Sequence, residues 1–461
     1  MQPDAQEILA RIHRGLGSGD LAALDAFLNE LHPADIAEVM GRLDPEEQQQ
    51  VLGLLETHEE AEVLEYADEE VRSEIVSSMP DQEVSDIVEE MPPEEAADLL
   101  SEMPEERAEH VLELMADEEA EEVEDLLRYP PESAGGIMAP VVATVRDDQT
   151  VSGLLGEIRS NDELEEEDIY SIYVVDAESR VQGIVELWDL LRASPDTPVR
   201  ELMETVQTIR ADTDQEKVAA LFGKYDMVSG PVVDGAGRLL GRIVFDDVQD
   251  VVRDEQSEDM SKLAGTHEDE LASSSAVQTA RLRLPWLIIC LVGTLLSGIV
   301  LHHHEATLRE FLILMFFVPA VMATAGNSGL QTATMTVRSM ATGHADRMGP
   351  TALILKQIKV AMMVGLVCGL LAGVAGAVWS HFSPAEHLGT SGAVLLGLII
   401  GGSMCAAICV SCTMGVSVPF TFRKMGIDPA VASGPLIMTV TDIFSLIVYL
   451  GVARTLLGKF A

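Results

Sequence analysis

Asp442 is the residue whose chemistry most needs explaining. It stands near the middle of PLIMTVTDIFSLIVYLGVA, residues 435–453, a run long and apolar enough to cross a bilayer. An ionised side chain at that depth is costly unless water, a partner or an ion meets it. The stretch itself contains no Lys or Arg. Two readings follow: Asp442 faces an aqueous path and binds a cation there, or it is protonated and hydrogen-bonded to a hydroxyl such as Thr439 or Thr441. The first is preferred, because intramembrane acids without a basic partner most often mark ion pathways. A second polar set lies in PAVMATAGNSGLQTATMTVR, residues 319–338. Pro319, Gly326 and Gly329 predict a broken or distorted membrane helix, whose freed carbonyls are tolerated only where protein or water satisfies them. Asn327, Gln331, Thr332, Thr334 and Thr336 add a polar stripe, so Gly326, Asn327, Gln331 and Thr336 are expected to line a path with Asp442. Oxygen donors without clustered His or thiolate suit a hard cation. Mg2+ sheds water reluctantly and suits a site with few carboxylates, although the donors alone also admit Ca2+, Mn2+ or Na+.

A third set is acidic and lies outside the apolar runs, in DDVQDVVRDEQSEDMSKL, residues 246–263. Asp247, Asp250, Asp254 and Glu258 are spaced three, four and four apart and share one helix face, with Glu255 and Asp259 flanking it. Like charges at this spacing oppose an isolated helix. The face is either solvated or waits for divalent cations to bring it against other acidic surfaces; its place directly before the apolar half favours the second.

The charge of the chain divides it. Of 461 residues, 77 are Asp or Glu and 29 are Lys or Arg. From residue 285 onward only six acids and nine basic residues occur, leaving 71 acids against 20 basic residues in residues 1–284, a net charge of −51. An acidic soluble half is joined to an apolar half. Such acidity argues against nucleic acid as a partner and fits cations or a strongly solvated surface. The N-terminal MQPDAQEILARIHRGL lacks an apolar signal core, so the acidic half is expected in the cytoplasm. All five cysteines lie in apolar stretches, where Cys is usually a small packing residue.

Residues 1–128 repeat every twelve. Leu31, Leu43, Leu55, Ala67, Met79, Met91, Met103 and Met115 recur, and eight residues after each comes an aliphatic: Val39, Val51, Val63, Ile75, Ile87, Leu99, Val111 and Val123. Segments such as LDPEE and MPPEE place Pro and acids where a helix begins. One short helix cannot bury its apolar stripe alone, so neighbours must stack into a superhelix. Residues 129–245 carry two βαβ-like copies in which Asp176, Gly183 and Asp189 correspond to Asp234, Gly241 and Asp247. This segment resembles a tandem of CBS domains, which commonly sense ligands, often adenine nucleotides. Glu186 and Val244 stand where nucleotide-binding copies often have Ser or Thr, so the sequence leaves ATP possible without committing to it.

Residues 246–280 read as the acidic connecting helix and a linker, and residues 281–461 as five membrane spans: 284–301, 311–337, 359–379, 392–419 and 435–457. Arg281, Arg283, Arg338, Arg347, Lys356, Lys359, Arg423 and Lys424 then flank one side, and Arg309, Arg454 and Lys459 the other. By the positive-inside rule the N-terminus is cytoplasmic and the C-terminus outside. Five spans are few for a transport path; a homodimer would supply ten around a two-fold axis. Gly365, Gly369 and Gly373, with Gly397 and Gly401, are small-residue spacings for close packing, within the bundle or between copies.

The domain order, PAVMATAGNSGLQTAT and RKMGIDPAVASGPLIMTVTDIFSLIVYL together resemble the MgtE family of Mg2+ channels and transporters over the full length. The resemblance implies an all-α superhelical N domain, an α/β tandem CBS pair and a five-helix α transmembrane domain. It implies Asp442 as the pore Mg2+ site, Asp428 in GIDPA at the cytoplasmic pore mouth, and a connecting helix that gates the pore. The departures are Ala325 where the family has Gly, Leu330 where it often has Asn, and Gly434 where it often has Asn. The expectation is a Mg2+-selective channel of the bacterial inner membrane, a homodimer that takes up Mg2+. Mg2+ is both substrate and regulatory ligand, with cytosolic Mg2+ closing the pore through Asp247, Asp250, Glu255, Glu258 and Asp259. The alternatives are an ion-coupled exchanger with Asp442 carrying the coupling ions, and a non-conducting membrane-anchored sensor. No P-loop, nucleophile elbow or metal-hydrolase motif points to an enzyme.

Overall fold

The aliphatic residue that recurs every twelve positions is the one the N domain hides. Val39, Val51, Val63, Ile75, Ile87, Leu99, Val111 and Val123 are each at most 2% exposed. The computed structural model describes residues 4–141, 144–160, 171–267, 270, 275–341, 344–382, 389–432 and 434–460. The chain forms two compact units, Met1–Asp254 and Glu255–Ala461.

In the first unit, ten α-helices run from α1 (Ala5–Ser18) to α10 (Asp117–Leu127). Helices two repeats apart stack: Pro33–Met40 on Thr57–Glu65, that on Asp81–Val88, and that on Glu105–Leu114. The inward aliphatics are buried in this stack, each worth about 1.5–3 kcal/mol. The expected starts are present. Pro33, Pro45 and Pro93 occupy the first helical turn, where the missing N–H costs nothing. Asp44 accepts from the Glu46 and Glu47 amides at 3.0 and 2.9 Å while Glu47 accepts from the Asp44 amide at 3.2 Å, a reciprocal cap.

The two βαβ-like copies form two three-stranded sheets of the same plan. In the first, β1 (Thr144–Arg146) pairs parallel with β2 (Ser171–Val175), which pairs antiparallel with β3 (Val181–Glu186). In the second, β4 (Ile209–Arg210), β5 (Ser229–Val233) and β6 (Leu239–Val244) repeat it. Val174 faces Gly183 as Val232 faces Gly241. Asp176 accepts from the Glu178 and Arg180 amides, and Asp234 from those of Ala236 and Arg238, at 2.8–2.9 Å, closing equivalent turns. Gly241 is required by close approach: a Cβ there would lie 2.7 Å from the Ala139 carbonyl.

A long helix, Phe245–Ala264, follows β6 and is the predicted acidic helix. Among the described residues five helices are long and apolar enough to cross a membrane: Ala276–His303, Leu312–Ala341, Pro350–Phe382, Gly389–Met425 and Pro435–Phe460. They match the five expected spans but extend past them, because polar ends such as Arg281 and Arg283 continue the helix beyond its apolar run. Part of the expected linker, residues 268–269 and 271–274, lies outside the described residues.

One expectation is corrected. The span carrying Pro319, Gly326 and Gly329 is not broken; Leu312–Ala341 is one continuous helix. Its glycines serve close packing instead. A Cβ on Gly329 would lie 2.6 Å from the Thr441 methyl, and one on Gly415 would lie 2.5 Å from the Gly329 carbonyl. The other glycine series is resolved in the same way: a Cβ on Gly369 would lie 2.5 Å from the Gly401 carbonyl, and one on Gly373 2.6 Å from that of Gly397. These small residues bring Pro350–Phe382 and Gly389–Met425 together within one chain.

Candidate ion path and cation-sensing carboxylates

Asp442 sits in the second turn of the helix Pro435–Phe460 and is half-buried. Its Oδ1 lies 3.1 Å from where a Gly326 Cβ would be, so Gly326 leaves the carboxylate room against the neighbouring helix. The two hydroxyls that could have held it are turned to their own backbone. Thr439 donates to the Pro435 carbonyl and Thr441 to that of Ile437, each at 2.8 Å. Among the described residues no side chain bonds the Asp442 carboxylate.

The polar residues of Leu312–Ala341 divide between two faces. Asn327 and Gln331, one turn apart, are exposed. Thr336 is 1% exposed and donates to the Thr332 carbonyl at 2.7 Å; Thr332 is 6% exposed and donates to that of Ser328 at 2.8 Å. Within this chain Thr336 therefore lies in the packed interior rather than on a stripe with Asn327 and Gln331. At helical spacing it stands half a turn away from Asn327.

At the end of Phe245–Ala264 a second group converges. Asp428 Oδ1 accepts from the Ala430 amide at 2.8 Å, capping the 3-10 turn Pro429–Ala432, and its Oδ2 accepts from Lys262 Nζ at 2.7 Å. Lys262 also pairs with Glu258, one turn earlier on its own helix. Burial pushes the Asp259 carboxyl up to about 6, with Asp428, Glu255 and Glu258 pushing the same way against Lys262. Asp428, Glu258 and Asp259 are thus brought together, with Glu255 close by. Lys262 is the member the sequence reading missed, although its spacing four residues after Glu258 was visible.

The third group lies in the first unit. Asp247, half-buried, accepts from the Val244 amide at 3.2 Å. Burial pushes its carboxyl up to about 7, and the charges of Asp246 and Glu94 add to that. Asp254 is likewise raised, by burial and by Asp250 and Glu69 against the pull of Arg253. Asp250 is exposed and pairs with Arg253 at 3.0 Å. Acids of the helical repeats, Glu69 and Glu94, therefore face acids at the start of Phe245–Ala264. The repeat pattern could not assign those partners, because Glu69, exposed, and Glu94, half-buried, both lie off the inward aliphatic positions that the period marks. Among the described residues no three His, Cys, Asp or Glu side chains already converge as a metal site.

A cavity of about 520 Å3 opens between the CBS halves, walled by Ser171, Ile184, Glu186, Thr205, Tyr225 and Ser229. Tyr173 and Ser229 hydrogen-bond across the two sheets beside it.

Comparisons with known proteins agree with this layout. A model described as the MgtE intracellular N domain matches residues 31–132, CBS domains match 134–196 and 199–254, and a divalent cation transporter model matches 318–452. A protein named magnesium transporter MgtE from Thermus thermophilus is 37% identical, covering 72% of this chain and 72% of its own length. Its namesake from Bacillus subtilis is 32% identical over 71% and 70%. A solved structure of the cytosolic domain of the Mg2+ channel MgtE in complex with ATP is 37% identical, with a TM-score of 0.50, covering 53% of this chain and 99% of that one. The soluble part of a magnesium transporter is 29% identical, also at a TM-score of 0.50, over 55% and 99%. With relatives this similar over more than two thirds of both lengths, and with N domain, CBS pair and membrane domain in the same order, the chain belongs to the MgtE family.

Proposed function

We propose that this chain transports Mg2+ across the bacterial inner membrane as a Mg2+-selective channel, closed by cytosolic Mg2+. The observation that carries the reading is Asp442: a carboxylate within a membrane-spanning helix, beside Gly326, with no protein partner among the described residues. One carboxylate per chain, with Asn327 and Gln331 on an open helix face, suits a cation that keeps most of its water. A second copy would supply the matching half of the path. The homodimer is further supported by the exposed apolar side chains Trp188, Leu191, Tyr225, Val228 and Phe245, each 48–66% exposed in the soluble unit. The N-terminus is taken as cytoplasmic and the C-terminus as outside, on the basic-residue asymmetry of the flanks.

Closure would come from the acidic groups. Asp247 and Asp250 in the first unit, and Glu255, Glu258, Asp259 and Asp428 in the second, carry like charge, and bridging Mg2+ would relieve the repulsion within each group. Because Mg2+ binds the compact arrangement better than the splayed one, it shifts the population toward closure. The CBS cavity is where a nucleotide would be sought; Glu186 and Asp226 on its wall oppose phosphate, so nucleotide is not made a requirement for transport. Single-channel recording of the purified protein, with and without Asp442→Ala, tests the proposal. Unitary Mg2+ currents lost in the variant support a channel; stoichiometric ion exchange without unitary currents would replace it with a carrier.

A further inference from the structure

Lys262 is the one Lys or Arg between Arg253 and Arg281, and Asp254, Glu255, Glu258 and Asp259 precede it. Its ammonium lies between two carboxylates, Glu258 on its own helix and Asp428 in the turn before Pro435–Phe460, and 25% of its side chain remains exposed. The helix end is also seated by backbone. Gly434 has φ +59°, and a Cβ there would strike the Leu263 carbonyl; Gly265 has φ +75°, and a Cβ there would strike the Pro435 ring. Both glycines favour residues with no side chain, by conformation and by space. Residues 262–265 thus dock on Asp428 and on the start of the helix that carries Asp442, through one ion pair and two close contacts, Leu263 with Gly434 and Gly265 with Pro435.

We propose that Lys262 is a built-in cation that pins the end of the acidic helix to Asp428, and that Mg2+ acting at this corner must displace its ammonium. The proposal deepens the gating reading above and rests on it. A tethered ammonium neutralises Asp428 at high effective concentration, so this corner docks without metal. Mg2+, with twice the charge and a preference for carboxylate oxygen, can replace it by linking Asp428 to Glu258 or Asp259.

The test uses the full chain in liposomes loaded with EDTA. A carbodiimide, which joins an amine to an adjacent carboxylate without a spacer, should cross-link Lys262 to Asp428, read by mass spectrometry of the digested protein. The Lys217–Asp214 pair, at 3.8 Å on an exposed surface, serves as the reagent control. The Lys262–Asp428 product should fall as cytosolic-side Mg2+ rises, while the control product holds. Lys262→Met should raise Mg2+ influx into EDTA-loaded liposomes about fivefold, the loss of one partly exposed ion pair, and Lys262→Arg should restore the wild-type rate. No Lys262–Asp428 product in EDTA while the control pair reacts would overturn the latch. So would a product insensitive to Mg2+, or wild-type influx in Lys262→Met. If the wild type itself carries no Mg2+, the transport reading falls, and the cross-link alone then decides the latch: its absence overturns it and its Mg2+-sensitive presence upholds it.

Discussion

Replacing Asp247 by Asn should stabilise the metal-free protein, which is the opposite of what removing an ordinary structural carboxylate does. Burial raises the Asp247 carboxyl from an ordinary aspartate to about 7, with Asp246 and Glu94 adding to it. A raised acid is disfavoured in its ionised form by the fold. The penalty is full above pH 7, shrinks as pH falls through 7, and vanishes below the unfolded value near 4. The gap corresponds to about 4 kcal/mol at pH 8; Asp247 keeps some access to water, so about half of that, ~2 kcal/mol, is the working figure. Asn removes the charge and its Oδ1 can still accept from the Val244 amide. In EDTA at pH 8 the first melting transition of the detergent-solubilised full chain should therefore rise by about 5 °C, and by less than half as much at pH 5. Saturating Mg2+ should stabilise the wild type more than Asp247→Asn, because proton, metal and amide all relieve the same repulsion. An unchanged or lowered melting temperature at pH 8, or a gain equal at both pH values, would refute the reasoning.

Other outcomes follow from the membrane helices. Asp442→Asn, which keeps shape and loses charge, should abolish Mg2+ flux in liposomes or destroy its selectivity while the protein still folds and dimerises; normal, selective flux would remove Asp442 from the path. Mg2+ should be preferred over Ca2+ in competition flux, because one carboxylate per chain leaves the ion its water; equal Ca2+ permeation would contradict a hydrated site. Gly369→Leu should lower the melting temperature in detergent by the equivalent of about 1–3 kcal/mol of overpacking or prevent folding, since even a Cβ would lie 2.5 Å from the Gly401 carbonyl. Gly402→Ala is the control, with open space around it, and an equal loss there would disprove the close-packing account.

Patterns that repeat were legible in the sequence; contacts between distant positions were not. The twelve-residue period named the central aliphatics of the N domain, and all eight are at most 2% exposed, because a periodic helix can face only one way into a stack. The CBS pair was equally visible, since Val174 opposite Gly183 and Val232 opposite Gly241 are the same solution written twice. Asp442 stood out because charge in an apolar run has few explanations. Thr336 misled, because a hydroxyl in a membrane helix can bond the carbonyl four residues back as readily as it can face water. Gly326 and Gly329 misled about helix breaking for a related reason: a glycine can loosen a helix or let another approach it, and only the neighbour decides. Lys262 was passed over as one cation among many acids, because its partner Asp428 lies 166 residues away.

The three departures from the family pattern also carry different weight once their places are known. Ala325 is 0% exposed, so exchanging a methyl for a hydrogen there alters packing and adds no polar group to a path. Leu330 is half-buried; it removes one amide from the Asn327–Gln331 segment but leaves those two exposed. Gly434 is different in kind. Its backbone is left-handed at φ +59°, and a Cβ would strike the Leu263 carbonyl, so an Asn at 434 and the present seat of residues 263–265 exclude one another without rearrangement. With Gly at 434, the start of the Asp442 helix carries direct backbone contact with Leu263 in place of a side chain. In the ion-path reading proposed above, the polar group that meets the ion is then Asp442, further along the same helix, and the Leu263–Gly434 contact is the direct link between the two helices.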